Sequence, residues 1–416
     1  MSNIVRIIHG EVPEAMSQIE PDSIDACVTD PPYHLTAGKK GGSGEASVNL
    51  DSPYGRARIT TGFMGKKWDG GDVAFRPETW RAVLRVLKPG AHLVAFGGSR
   101  TYHRLACAVE DGGFEIRDQI MWLYGSGFPK SLNLEGEWDG WGTALKPAHE
   151  PIILARKPLI GTVEANLARY GTGALNIEKS RIYGDRGNGV WGSSNAGVST
   201  DRSFNASPGM LDYKSEAVEG ENGKVGRWPA NVIHDGSDEI VEAFEQFGTD
   251  KGAIAPVHRR RADKFRNTYG TFKGDVDEAG STFQGDSGTA ARFFYCAKAT
   301  KADRDDGLGW KGPSKMDESR KPGKPGGDNP TNRGVHVRHN NHPTVKPTEL
   351  MRYLCSLVTP RGGVVLDPFM GSGSTGRGAV LAEFGFVGIE REAEYVEIAR
   401  DRIRAIAPLF VWESYR

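Results

Sequence analysis

The chain carries no excess charge of either sign: 53 lysines and arginines balance 53 aspartates and glutamates across 416 residues. That excludes a global cationic field of the kind that gathers nucleic acid, so any polyanion-binding surface has to be local. Cysteine is scarce as well. Cys27, Cys107, Cys296 and Cys355 lie far apart with no paired spacing, which argues against a disulfide framework or a zinc site. His103, His149 and His234 show no ligand spacing with an acid, so no metal is expected. No apolar run approaches the length that crosses a bilayer, and Met1–Arg6 lacks a signal-peptide pattern. The expectation is a soluble protein of a reducing cytoplasm, away from membranes. There is no internal repeat.

Glycine, by contrast, is plentiful at 55 residues. Up to about residue 157, apolar strands alternate with helical patterns: a strand over Ile24–Thr29, a helix over Pro77–Leu87 ended by Lys88-Pro89-Gly90, a strand over Ala91–Phe96 and a helix over Thr101–Glu110. Strands follow at Phe114–Tyr124 and Pro151–Ala155. Residues 158–290 are irregular, polar and glycine-rich, with a basic peak at His258–Arg266. The α/β pattern resumes from residue 291 and, after a Gly/Pro/Lys-rich connector, ends as helix, strand, glycine turn, helix, strand and helix. The fold class predicted is α/β, a doubly wound sheet with helices on both faces, in two halves (1–157 and 291–416) separated by an insertion (158–290).

Two motifs carry chemistry. Near the end, Asp367-Pro368-Phe369-Met370-Gly371-Ser372-Gly373-Ser374-Thr375-Gly376 follows a strand, precedes a helix and fits G-x-G-x-x-G, with Glu390 ending the next strand. Glycine lets a backbone approach a nucleoside ligand, and the carboxylate accepts hydrogen bonds from ribose hydroxyls. Alone this leaves NAD and S-adenosylmethionine open. The acid and ring before the glycines, and a serine-rich turn with no pyrophosphate to bind, favour the methyl donor.

Near the start, Asp30-Pro31-Pro32-Tyr33 closes an apolar strand. An exocyclic amine on a base is a poor nucleophile, because its lone pair is delocalised into the ring. The Asp30 carboxylate and the Pro31 carbonyl can each accept one N–H and localise that pair toward a sulfonium methyl. Two prolines keep the acceptors fixed, and Tyr33 can stack on a base rotated out of a duplex. The transfer is then direct, with Asp30 an acceptor rather than a covalent nucleophile.

On these residues the chain resembles the β-group DNA amino-methyltransferases, which methylate adenine N6 or cytosine N4, and the segments Tyr124–Lys130, Trp141–Lys157 and Arg292–Asp305 look like those of phage and prophage methylases. The order matches: Asp30–Tyr33 first, an insertion next, then His342-Pro343-Thr344-Val345-Lys346-Pro347, then Asp367–Gly373. The resemblance implies a Rossmann-like S-adenosylmethionine-dependent fold and makes 158–290 the target-recognition region. Lys346 then lines the methionine end of the donor; Phe369, Gly371, Ser372, Gly373 and Ser374 form the donor turn, and Glu390 holds ribose. Gly10-Glu11 stands where the family has Gly-Asp, an acid one methylene shorter. Aspartate at position 30 favours adenine, with cytosine-N4 the alternative. A homodimer acting on double-stranded DNA is implied in the same way. For Lys346-Pro347-Thr348 a helix start with Thr348 as N-cap is also expected.

Phosphate contacts fall to Arg259, Arg260, Arg261, Lys264 and Arg266, and to Lys39 and Lys40 in the loop after the first motif. A nucleotide-dependent oxidoreductase remains a distant alternative, supported only by the glycine pattern with Glu390.

Overall fold

In a computed structural model of the chain, the described residues are 4–33, 72–125, 127, 131, 133–182, 227–248, 250–251, 287–297, 302–309, 339–342, 344–407 and 410–412. The structure divides into two compact units. The first comprises Met1–Asn176, Asn231–Ser237 and Cys296–Arg416; the second comprises Ile177–Ala230 and Asp238–Tyr295. Residues 158–176, expected in the insertion, lie in the first unit. There Asn166 donates to the Pro89 carbonyl at 2.9 Å, and the Thr172 hydroxyl donates to the same oxygen.

Strands β1 (Ile4–His9), β2 (Ile24–Thr29), β3 (Leu87–Phe96), β4 (Glu115–Leu123), β5 (His149–Arg156), β6 (Val232–His234), β9 (Tyr295–Cys296), β10 (Val364–Asp367), β11 (Gly385–Glu390) and β12 (Val411–Trp412) form one mixed sheet. Its order is β12-β1-β11-β10-β2-β3-β5-β4-β6-β9. Strands β7 (Asp250–Lys251) and β8 (Ser287–Gly288) form an antiparallel pair in the second unit. In that unit Ile182 also bridges Arg227, and Arg181 lies over the Trp228 ring.

The first sheet is doubly wound. Its middle, β1-β11-β10-β2-β3, is parallel, while β5 runs antiparallel to both β3 and β4. All six side chains of β2 are buried, as a strand covered on both faces requires. Helix Pro77–Val86 starts on proline and buries Trp80, Val83 and Val86 on one side. Helix Thr348–Val358 buries Met351, Leu354, Cys355 and Val358 at helical spacing.

From β2 the chain moves to β3 on one side; from β10 it moves through helix Ser374–Leu381 to β11 on the other. Strands β10 and β2 therefore flank the topological switch point, where open α/β sheets bind ligands at the carboxyl ends of their strands. The two are neighbours with Val365 opposite Ala26 and Leu366 opposite Cys27. Asp25 locks them: one oxygen holds Lys88 Nζ at 2.6 Å, and the other accepts the Val364 N–H at 2.8 Å.

Two local expectations need correction. The helix ends at Val86, just before Lys88-Pro89-Gly90 as expected, but the next strand, β3, begins at Leu87 and not at Ala91, so the tripeptide also lies within the strand. A register shift opposite Ile24 and Ala26 accommodates it, since a bulge tolerates the missing proline N–H. Thr348 is also not an N-cap. Pro347 holds the cap position, and the Thr348 N–H is met instead by Asp303 Oδ1 at 2.8 Å.

Candidate active site

Because β1, β2, β10 and β11 are parallel, their carboxyl ends share one edge. They bring Gly10-Glu11, Asp30, Asp367 and Glu390 to a single crevice. Its apolar wall includes Val12, Phe369, Met370, Ile389 and Tyr395; Pro32, Lys346, Pro368, Gly371, Ser372 and Ser374 complete the lining named in the sequence. Gly373 lies outside that lining but shapes the turn. It has φ +83°, and a Cβ there would come within 2.9 Å of Ala399 Cβ.

Gly371 has φ +53°, and its N–H donates to Glu390 Oε2 at 2.9 Å. The other Glu390 oxygen accepts the Glu392 N–H at 2.8 Å. Each carboxylate oxygen thus keeps a second lone pair for a ligand hydroxyl. Burial raises the Glu390 carboxyl above its usual range, and the two backbone donors offset part of that rise. A Cβ on Gly371 would meet His342 Nε2 at 2.7 Å. The His342 ring is held by its Nδ1–H on the Thr344 carbonyl at 2.5 Å and by an edge contact with Tyr395. Burial pushes His342 down to about 4, so it is neutral near pH 7.

Asp367 is buried at the foot of the crevice. Its Oδ1 accepts Thr29 Oγ1–H at 2.6 Å and the Phe369 N–H at 3.0 Å. Burial pushes it up to about 7 against the pull of these hydrogen bonds, and the charge of Asp30 adds to the rise.

Asp30 sits in a ring of four side chains. Tyr33 O–H lies 2.8 Å from Asp30 Oδ1 and 3.0 Å from Glu150 Oε2. Lys346 Nζ lies 2.7 Å from Asp30 Oδ2 and 3.1 Å from that same Glu150 oxygen. The ammonium also faces the rings of Phe96 at 4.8 Å and Tyr33 at 5.5 Å. Burial alone would lower Lys346, but the charges of Asp30 and Glu150 overcome it and hold the ammonium above its ordinary range. Burial and the same two acids raise the Tyr33 phenol. Pro31 is buried, and the Tyr33 carbonyl accepts Thr101 Oγ1–H at 3.0 Å, so the turn is held from outside as well as by its prolines.

Several residues here were not singled out from the sequence. Glu150 opens β5, and its only advance signal was a charged residue at a strand end. Arg402 is fully buried and donates to the Ser372 carbonyl, to Ser372 Oγ at 3.0 Å and to the Asp303 carbonyl. Arg304 donates to the His342 carbonyl at 2.9 Å, and Asp305 accepts the N–H groups of His339 and Asn340. Lys39, Lys40, Arg259, Arg260, Arg261, Lys264 and Arg266 lie outside the described residues. Among the described residues no cluster of His, Cys, Asp or Glu is arranged to hold a metal, and no helix is long and apolar enough to cross a membrane.

A family model described as DNA methylase, for N6 and N4 methyltransferases, matches residues 24–401. The chain belongs to this family. Type II methyltransferase M2.MboI of Moraxella bovis is 40% identical over 68 residues, 16% of this chain and 25% of that protein. Type II methyltransferase M2.DpnII of Streptococcus pneumoniae is 45% identical over 64 residues, 15% and 24% of the two chains. The matched stretch thus spans about a quarter of each relative. Similar solved structures include PvuII DNA methyltransferase (cytosine-N4-specific), with TM-score 0.44 and 14% identity over 96% of this chain and 88% of that one. TTHA0409 of Thermus thermophilus, complexed with S-adenosyl-L-methionine, gives TM-score 0.37 and 14% identity over 99% and 100%. At this level the structural likenesses carry no argument about the site.

N6/N4 DNA methylases depend on S-adenosylmethionine, and the crevice of this family member fits that donor on its own geometry. Glu390 offers two acceptor positions for ribose hydroxyls, and the apolar wall suits an adenine ring. The turn at Gly371 has no room for a side chain, and Asp30 and Asp367 stand where a positively charged amino acid end would find carboxylates.

Proposed function

We propose that this DNA methylase transfers a methyl group to the N6 amine of an adenine turned out of duplex DNA. S-Adenosylmethionine, when bound, supplies an electrophilic methyl on sulfur. Glu390, the turn at Gly371, Asp367 and Lys346 would hold that donor. One observation carries the reading: Asp30, on a proline-stiffened strand exit, lines the same crevice as Glu390 and Gly371. Asp30 would accept one N–H of the entering amine and the Pro31 carbonyl the other. The nitrogen is drawn toward tetrahedral geometry, and its lone pair becomes available. Placement of this kind accounts for rate by orientation rather than by covalent chemistry. Asp30 then receives the proton that the methylated amine must shed.

Aspartate at position 30 supports adenine over cytosine on the family likeness. The same likeness supports a homodimer, with the second unit, Ile177–Ala230 and Asp238–Tyr295, reading the target.

The test is incubation of duplex DNA with labelled donor, followed by mass analysis of the released nucleosides. N6-methyladenine is expected, and Asp30→Ala is expected to reduce its formation at least a thousandfold, on the order of 4 kcal/mol of barrier. N4-methylcytosine instead would replace the base in this reading. Absence of any methylated base would overturn it.

A further inference from the structure

Both oxygens of Asp30 are engaged before any base arrives, Oδ1 by the Tyr33 hydroxyl and Oδ2 by the Lys346 ammonium. An amine that needs Asp30 as acceptor has to compete with these two donors. Neither has an easy escape. Lys346 is 7% exposed, so an ammonium that left Asp30 without a second acceptor would be a buried unpaired charge. Glu150 answers this. It stands at the start of β5, which runs antiparallel to β3 and therefore begins at the edge where the parallel strands end. Its Oε2 lies 3.1 Å from Lys346 Nζ and 3.0 Å from Tyr33 O–H, so both donors on Asp30 already face it.

We infer that Glu150 is a positioning residue for methyl transfer: it is the second seat to which Lys346 and Tyr33 shift when the target amine takes its place on Asp30. The inference rests on the proposed function and adds to it a residue that touches neither donor nor base. Two donors and two acids form a closed ring, and entry of a third donor, the amine, opens it on the Asp30 side alone. No proton or charge is created or lost in the shift. Lys346 stays an ammonium, Tyr33 stays a phenol, and each gives up its own Asp30 oxygen while keeping the Glu150 oxygen that both already face. A carboxylate is needed in the second seat because a neutral acceptor would leave Lys346 bound to Asp30, the only remaining anion of the ring.

The role is separable from shape. Glu150→Gln keeps the size and an acceptor oxygen but removes the charge; Glu150→Asp keeps the charge but shortens the reach. A purely structural residue would tolerate the glutamine better. The inferred role predicts the reverse order. Under single turnover, with duplex DNA carrying the target established for the unaltered protein, glutamine is expected to slow methyl transfer about thirtyfold. Aspartate should recover most of that rate. Calorimetric affinity for S-adenosylmethionine should change less than about twofold in both, since Glu150 does not line the donor crevice. Glutamine at or above the aspartate rate, equal loss in both variants, or donor affinity falling in step with rate would each overturn the inference. Failure of the unaltered protein to methylate DNA would instead overturn the proposed function.

Discussion

Replacing Asp367 with asparagine should make this protein more stable and a poorer binder of its donor. Asp367 is 2% exposed, and burial raises it from 3.8 to about 7. A carboxyl whose folded value lies above its unfolded one favours folding when protonated. The stabilisation is complete below the unfolded value and is lost as pH rises through the folded value. At about 1.4 kcal/mol for each tenfold change in proton affinity, that rise gives about 4 kcal/mol, of which about 3 kcal/mol falls between pH 5 and pH 8. Asparagine carries no charge to desolvate. Its Oδ1 can still accept from Thr29 and Phe369, and its amide can donate to the Thr375 hydroxyl, which bonds the aspartate and can accept as well as donate. Across that pH range the variant should therefore gain on the parent, ending several degrees higher in melting temperature at pH 8. Donor binding should move the other way. A cationic ligand end favours the carboxylate, so the parent's affinity should rise with pH up to about 7, while the variant's stays low and flat. Thermal melts and calorimetry from pH 5 to 8.5 measure both. Parallel pH curves for the two proteins, or a variant less stable at pH 8, would refute the reasoning.

Gly371→Ala forces a side chain into the left-handed region and against the His342 ring, which is 2.7 Å from the added carbon. A cost of about 2 kcal/mol and at least tenfold weaker donor binding are expected, read by melting and calorimetry. Arg402→Met strands the buried carbonyl of Ser372 and the half-buried carbonyl of Asp303. With about 1–2 kcal/mol for each unmet acceptor, the variant should lose about 3 kcal/mol and bind donor less tightly; an unchanged melting temperature would contradict the role given to Arg402.

The parts of the site legible in the sequence were those written in local chemistry. Asp30 and Asp367 each end an apolar run and open a turn rich in proline or glycine, so their places at strand ends follow from short-range pattern alone. Their neighbourhood across β2 and β10 follows from winding, because a sheet built outward in two directions puts its two starting strands together. Glu150 had no such local mark. Its meaning comes from β5 running antiparallel, which turns the start of a strand toward the edge where others finish. The capping of Thr348 was hidden for a similar reason: a threonine before a helical run normally caps it, but Asp303 supplies the acceptor from a distant segment. Lys88-Pro89-Gly90 ends the preceding helix at Val86, as its composition announces, yet the same residues also belong to β3, where Lys88 pairs with Asp25 and a register shift absorbs the proline. At Thr348 a tertiary partner displaced a sound local preference.

The charge of the crevice decides between the two nucleoside ligands that a glycine turn leaves open. Glu11, Asp30, Asp367, Glu390 and Glu392 line it, against Lys346 and Arg391. His342 is neutral near pH 7, and Asp367 is only partly ionised there. The remaining balance is still negative. A dinucleotide would bring a pyrophosphate of two negative charges into that field, whereas S-adenosylmethionine brings a sulfonium and an ammonium against one carboxylate. The third glycine of the pattern points the same way. A Cβ on Gly376 would strike the Ile403 side chain and come within 2.8 Å of Phe386, so this glycine serves the packing of its helix on the sheet and not a phosphate. An acidic crevice also repels DNA phosphates. A base can enter it only if its backbone stays outside, held by cations elsewhere on the chain, which is the arrangement a chain of zero net charge requires.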